Sequence, residues 1–550
     1  MTMQRTPLLM SRLLDRGAWV CPDEQIVTRT ASGVHRETYA EAKGRAHQLA
    51  HALKACGIEH GDRVASFMWN GYRHVEMYHA VPAMGAVLHT LNIRLGERDL
   101  EYIINHAADR IIVVDADLIP LLEKMQGKMP TVEKFVIAGE GGDWKTDLPG
   151  AVDYEEFIAG QPTEFEWPDI DENAPMGLCY TSGTTGNPKG VMYTNRSTYL
   201  HTMAICMADS IGLSARDSLC GIVPQFHAMG WGMPYAALMV GSKQVMPHRF
   251  MAAEELLDMI SAEGVTLSCG VPTIWQGVRA AVEGEPDRWD LSKLERVTCG
   301  GSAPPVSLIR WFWEKLGVEM IQGWGMTETN PLATLSRRIA RRADLDKSDD
   351  VLFANMAKAG MLMPGLEIEI FDEEFNETLP HDGNAVGELL IRGPWVCSEY
   401  YNDPQPSKFH DDWLVTGDVA KIDKDQYLII SDRSKDMVKS GGEWISSVDL
   451  ENHIVGITAI AQAAVVAQPH PKWDERPVAL IVLAEGQTVT KEEVLTYCES
   501  AFAKWQLPDD ILFVDTIPLT STGKIDKKVI RAQLADEGYK LPDLREAATG

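Results

Sequence analysis

YTSGTTGNPKG, residues 180–190, comes straight out of the apolar run PMGLCY at 175–180. A buried strand delivering a glycine-rich turn to the edge of an α/β layer is expected to look like this. After Thr181, Gly183, Gly186 and Gly190 permit close backbone approach and positive φ, Ser182, Thr184 and Thr185 supply hydroxyls, and Lys189 adds positive charge. That composition suits a polyphosphate. Lys189 follows Gly186 by three positions and precedes Gly190, which is not the G-x-x-x-x-G-K-[ST] spacing and argues against a P-loop NTPase. Taken alone, the stretch also fits an unliganded Gly/Thr turn.

On either side, helical patterns such as AEAKGRAHQLAHALKACG alternate with β-rich runs such as DRVASFMW, DRIIVVDAD and VEKFVIAG, predicting α/β layers with largely parallel strands. SLCGIVP, GVTLSCGVP, LERVTCGG and GVEMIQGWG read as further strands ending in Gly or Pro, where α/β proteins place ligands. Residues 366–430 change to strands joined by Asp/Gly/Asn turns, predicting a small antiparallel section. Beyond DRSKD at 432–436 the pattern becomes a compact α+β unit. The expected fold is therefore α/β: a large N-terminal domain, 1–431, of layered α/β subdomains with an antiparallel β section, and a small mobile C-terminal domain, 432–550.

A chain of 550 residues is too long for one ordinary core. Its formal charge of −28 argues against a nucleic-acid partner. Any anionic ligand must be held by a locally built site against that mean field. The nine cysteines are scattered, with no C-x-x-C and no zinc spacing, as in small core residues of a reducing cytoplasm. The first 20 residues read as an amphipathic helix rather than a signal peptide. No apolar run approaches the roughly 18 residues of a membrane span, which leaves peripheral membrane contact open.

Four more stretches carry chemistry. In QGWGMTE, residues 322–328, Trp324 offers a flat face for a purine, and Thr327 and Glu328 offer oxygens to a hard cation. In WLVTGDVA, Asp418 can accept from ribose hydroxyls, with Arg433 following. SKDMVKSGGEW joins Lys435 and Lys439 to Gly441 and Gly442 at the domain boundary, and PLTSTGKIDK projects Lys524 from a glycine turn. A core Trp, a surface Asp–Arg pair, a basic turn and an exposed Lys are the bland alternatives. Ser521 and Lys524 form S-x-x-K without the S-D-N and K-T-G partners of a penicillin-binding hydrolase, and no G-x-S-x-G elbow is present.

In this order and spacing the five stretches resemble the acyl-adenylate-forming superfamily from about residue 8 to 533, and within it the bacterial medium- and long-chain fatty acyl-CoA synthetases. The resemblance implies an ATP-dependent acid–thiol ligase that converts a hydrophobic carboxylic acid to acyl-AMP with release of pyrophosphate, then to acyl-CoA. It implies Thr184 and Glu328 as Mg²⁺ ligands, and residues 182–190 as the pyrophosphate cradle. Gly301, Gln322, Gly323, Trp324 and Thr327 become purine and α-phosphate contacts, and Asp418 with Arg433 the ribose clamp. Lys435 becomes the hinge, Lys439 and Trp444 contacts of the mobile domain, Lys524 the adenylation lysine, and Gly441 and Gly442 the element accompanying CoA. The acyl walls correspond to PQFHAMGW, with His227, Ala228 and the gate Trp231, to Gly270 and Val271, and to Ser302 and Ala303. A homodimer is implied as well, since some related synthetases form one.

Two departures stand out: Asn195 replaces the usual His after the phosphate loop, and Gln225, Ala228, Met229 and Gly230 alter the PMFHVNAW-like segment. They leave straight-chain, branched and aryl-alkanoic acids open. An acyl-AMP ligase or another adenylate-forming enzyme with a different acceptor, and a non-catalytic nucleotide- or lipid-binding relative, are the competing readings.

Overall fold

The computed structural model describes residues 3–140, 144–181, 187–372, 376–404, 408–433, 435–440, 443–520 and 524–541, with backbone alone at 443 and 444. Among them, four sheets carry the fold. In the first, Arg63–Phe67, Val87–Thr90, Ile111–Asp115, Lys134–Ala138 and Pro175–Tyr180 run parallel. IIVVD at its centre is buried at every position, because helices cover both faces and leave no side to water. Gly190–Thr194 returns antiparallel along Pro175–Tyr180.

Gln25–Thr30, Lys243–Met246, Ser218–Gly221, Leu267–Gly270, Arg296–Gly300 and Glu319–Gly325 form the parallel body of the second sheet. Being parallel, the last four end their strands at one edge, so the segments that leave Gly221, Gly270, Gly300 and Gly325 gather there. Leu332–Ser336 folds back antiparallel on Glu319–Gly325. Helix Tyr39–Ala55 starts at a reciprocal Thr38–Glu41 cap and buries Tyr39, Ala42, Ala46, Leu49 and Leu53. It shares a core with Leu13 and Leu14 of helix Ser11–Val20 and with Tyr78, Tyr235 and Leu238. No helix among the described residues is long and apolar enough to cross a membrane.

Glu367–Asp372, Gly387–Arg392, Trp413–Ile422 and Leu428–Arg433 make the antiparallel section. The last sheet begins at Val438–Ser440 and includes the long hairpin Ile460–His470 with Asp474–Leu483. Its apolar side packs on helices Ser447–Ile454 and Lys491–Cys498 in a separate core of Val438, Leu450, Val465, Ile481 and Val494.

The antiparallel section docks on the second sheet where Gly360 exchanges backbone bonds with Leu428. Gly360 has φ +105°, and a Cβ there would lie 2.1 Å from the carbonyl carbon of Leu335. Gly360→Ala is expected to cost about 1–3 kcal/mol of stability, read as a lower melting midpoint by circular dichroism. Gly486→Ala, at φ +70° with open space around it, isolates the backbone cost and should shift the midpoint less.

Candidate active site

The segment after Glu319–Gly325 turns sharply through a left-handed Asn330 and is pinned to the edge of the first sheet. Tyr193 donates from its hydroxyl to the Thr327 carbonyl at 2.7 Å, and Asn330 donates to Thr198 Oγ1 at 3.2 Å. Glu328 is thereby buried. Tyr400 donates to its Oε1 at 2.7 Å, and the Cys397 amide donates to its carbonyl at 2.8 Å. No donor among the described residues reaches Oε2, which leaves an oxygen of the kind a hard cation takes. Lys189 lies with its ammonium 5.0 Å from the centre of the Tyr400 ring, so the cation of the glycine-rich stretch and the carboxylate meet at one tyrosine. The ends of that stretch are joined, since the Thr181 amide donates to the Lys189 carbonyl at 2.9 Å. Ser182, Gly183, Thr184, Thr185 and Gly186 lie outside the described residues, as do Gly441 and Gly442 and the side chain of Trp444.

Asp418, only 2% exposed, joins three elements. Its Oδ2 accepts the indole N–H of Trp324 at 2.9 Å, and its Oδ1 lies 2.6 Å from Nε of its cross-strand neighbour Arg433. This is a buried carboxylate with two fixed donors rather than a surface pair. A carboxylate has about four lone-pair sites, so two hydroxyls can still be accepted. Trp324 is a partner of this carboxylate and packs on the apolar clusters beneath it, which gives it a structural task the sequence does not announce.

Lys524 reaches the same region from the C-terminal unit. Its turn is closed by Thr520, whose amide donates to the Lys524 carbonyl at 2.6 Å, and by the bridge between Leu519 and Ile525. A Cβ on Gly301, which has φ +86°, would stand 3.1 Å from Cε of Lys524 and 3.5 Å from Val271. Glycine is what admits the lysine stem. Burial pushes the Lys524 ammonium down to about 8, with Arg433 adding repulsion and Asp418 opposing it. The same burial, with Lys524 and Arg94 nearby, pushes His227 down to about 3, so its imidazole is neutral. Arg94 is the cation that motif reading missed; NIRL at 92–95 carries no signature of its own.

Trp231 lies within a run of left-handed residues that extends from Ala228 to Gly232. Its ring is seated on Gly300, where a Cβ would be 2.8 Å away. Gly270 is likewise covered by Trp275. Ser302 is exposed and Ala303 half-buried beside Gly301.

Several expected contacts are placed differently. Gln322, its amide nitrogen turned toward the chain after helix Asp349–Met356, donates to the carbonyls of Met356, Ala357 and Lys358 at 3.2, 2.7 and 3.1 Å, so its side chain holds that segment rather than facing a purine. Gly323 packs under Leu332. Asn195 and Gln225, two of the departing residues, hold backbone: Asn195 accepts the Met10 amide at 3.1 Å and donates to the Ala174 carbonyl, and Gln225 accepts the Gly71 amide at 3.1 Å. Met229 packs against Gly177 in the core. Lys435 is surrounded by Arg433, Lys528 and Arg531; partial desolvation and these cations lower its ammonium from the usual range, and Asp436 opposes them. Lys439 is exposed on the C-terminal sheet, where its amide donates to Glu475.

Residues 14–401 match the family model described as AMP-binding enzyme, and residues 449–524 that of the AMP-binding enzyme C-terminal domain. The 3-methylmercaptopropionyl-CoA ligase of Ruegeria lacuscaerulensis is 42% identical over 97% of this chain and 98% of its own. The medium-chain-fatty-acid–CoA ligase of Ectopseudomonas oleovorans is 41% identical over 97% of each. Among solved structures, the anthranilate CoA ligase AuaEII in complex with anthranoyl-AMP superposes with a TM-score of 0.86 at 26% identity, over 98% of this chain and 100% of that one.

Trp324→Phe keeps the ring and removes the donor to a buried carboxylate. A loss of about 1–3 kcal/mol is expected, read as a lower melting midpoint; an unchanged midpoint would remove the indole from the support of Asp418.

Proposed function

We propose, for a chain that belongs to the AMP-binding enzyme family, that Lys524 serves the first of two half-reactions and is exchanged for another surface before the second. The chain is an AMP-forming acid–thiol ligase, using ATP to join a carboxylic acid to CoA. In the first half-reaction a carboxylate oxygen bonds to the α-phosphorus of ATP, and the bond to pyrophosphate breaks. In the second the CoA sulfur bonds to the acyl carbon, its proton is lost, and the bond to AMP breaks.

Both partners of the first step are anions, so the cleft must supply fixed positive charge where negative charge accumulates. The observation that carries the reading is the approach of Lys524 over Gly301, beside Asp418 and Arg433. Removing a lysine from water is unfavourable, and it persists here because Gly301 leaves room for the stem and Asp418 offsets part of the repulsion. Arg433 and Asp418 are positioned to hold the nucleotide sugar, and Lys189 to meet departing pyrophosphate. Glu328, with Oε1 tied by Tyr400, would hold Mg²⁺, which when bound neutralises polyphosphate charge; Thr184 is proposed as its companion. Thr181, Ser182, Gly183, Thr185, Gly186 and Thr327 complete the proposed nucleotide contacts.

The second step needs Lys524 out of the way. We assign 432–550 as the C-terminal domain, whose part beyond the hinge Lys435 moves, with Lys439, Gly441, Gly442 and Trp444 as the surface brought in with CoA. Such exchanges let one cleft serve two reactions. The acid is proposed to be a hydrophobic one, of medium- or long-chain, branched or aryl-alkanoic type, lying between Trp231, Val271 and Ala303 with neutral His227 at the side. A cytoplasmic homodimer belongs to the same reading: the nine free thiols suit a reducing compartment, and the dimer rests on resemblance.

With ATP, Mg²⁺ and a screen of acids, Lys524→Ala is expected to lose roughly a hundredfold or more of acid-dependent pyrophosphate release, while supplied acyl-AMP is still converted to thioester. Because the ammonium in the free protein titrates at about 8, kcat/KM for adenylation should fall as pH rises through that value, where the charged form is lost. Bound polyphosphate favours the ammonium and should move the kcat limb higher. Equal pyrophosphate release by both proteins would overturn the assignment of Lys524.

Gly300→Ala displaces the Trp231 ring. It should lower kcat/KM for the preferred acid by about tenfold, the size of a modest overpacking cost, with KM for ATP unchanged, as read by initial rates with each substrate varied.

A further inference from the structure

Next to Arg433, at the end of strand Leu428–Arg433, Asp432 is 2% exposed and reaches across to the C-terminal unit. Its Oδ1 accepts the Arg433 amide at 2.7 Å. Its Oδ2 accepts both the backbone N–H of Ser447, at 2.8 Å, and the Ser447 hydroxyl. Ser447 opens helix Ser447–Ile454 and is fully buried, and its hydroxyl oxygen in turn accepts the ammonium of Lys527. Lys527 also lies 3.0 Å from Oε1 of Glu451, which accepts the Val465 amide at 2.7 Å. A second tie runs beside the first, from the Ser446 hydroxyl to the Ser431 carbonyl.

Lys527 is three residues beyond Lys524, and the chain between them is stiff. Asp526 caps helix Lys527–Asp536 and donates its own amide to the Pro518 carbonyl at 2.8 Å, closing the turn that projects Lys524. A continuous set of bonds therefore runs from Asp432, whose neighbour Arg433 grips Asp418, to the turn that aims Lys524 into the cleft.

The charges in this set are unequal. Lys527 and Glu451 both belong to the C-terminal unit and neutralise each other there. Asp432 is a second carboxylate drawing on the same ammonium. If the unit swings about Lys435, Ser447, Glu451 and Lys527 leave together as a neutral set, and Asp432 stays behind. Burying a lone carboxylate is costly, so separation is tolerable only because Asp432 would then face water. Such a contact holds one orientation without preventing the other.

We propose that Asp432 is a positioning residue for adenylation, a latch that holds the C-terminal unit, and with it Lys524, in the orientation seen here through Ser447 and Lys527. It acts on the first half-reaction alone. The proposal rests on the two-orientation reading given above.

The test uses the full chain and measures the two half-reactions separately: acid-dependent ATP–pyrophosphate exchange, and thioester formation from supplied acyl-AMP and CoA. Asp432→Asn keeps shape and removes charge; Ser447→Ala removes the hydroxyl but keeps the backbone donor. For each, exchange should fall on the order of tenfold, as expected on loss of a buried charge-assisted bond, with KM for ATP little changed, and thioester formation should be unchanged or faster. Circular dichroism identifies any variant that fails to fold, and Ser447→Ala decides if Asp432→Asn does. Parallel loss in both half-reactions, or undiminished exchange in a folded variant, would overturn the latch. Lys524→Ala in the same assays separates the two ideas: if it retains exchange, the role of Lys524 falls, whereas if it loses exchange and the latch variants do not, only the latch falls.

Discussion

The buried carboxylate of Asp418 is the constraint on which the cleft depends. It sits on a strand of the antiparallel section, takes the indole N–H of Trp324 from the last parallel strand of the second sheet, and faces Arg433 on the strand that leads to the C-terminal unit. A charge placed 2% exposed is expensive unless each oxygen is satisfied. The antiparallel section and the second sheet must therefore be in register before the carboxylate is satisfied. Lys524 then enters a space whose floor, Gly301, and whose counter-charge, Asp418, are already set.

Much of the fold was legible because it is written locally. The apolar runs IIVVD, KFVIA and PMGLCY became parallel strands of the first sheet, and SLCG, LSCG, RVTCG and EMIQGWG those of the second. The change at residues 366–430 became the antiparallel section. Helix Tyr39–Ala55 begins at the Thr–x–x–Glu cap its sequence spells. What was not legible is pairing across long separations. Nothing near Tyr400 announces that its hydroxyl serves Glu328, 72 residues away. Nothing near Asn195 says that it holds the backbone of Met10. Gln322 was grouped with nucleotide contacts through its motif, but a strand alternates its side chains, and this one falls on the face toward residues 356–358. Asn195 and Gln225 thus pointed to altered pocket shape, whereas in the structure their side chains hold the backbone of Met10, Ala174 and Gly71.

The net charge of −28 sets a second condition. Long-range attraction contributes nothing to capturing anionic substrates, so recognition falls to short-range groups: Lys524, Arg433 and Lys189, each placed beside an acidic or aromatic partner. Such groups are screened less by salt than a surface field would be, because they act over distances well inside the Debye length.

Thr181 and Lys189 bear on this economy in another way. Their backbone bond closes an interval of chain whose ends are already strands of one sheet. The entropy of bringing those ends together is charged to the sheet, not to the interval, and it grows only slowly with the number of residues enclosed. The closure is therefore met by the strands on either side, whatever sequence lies between them.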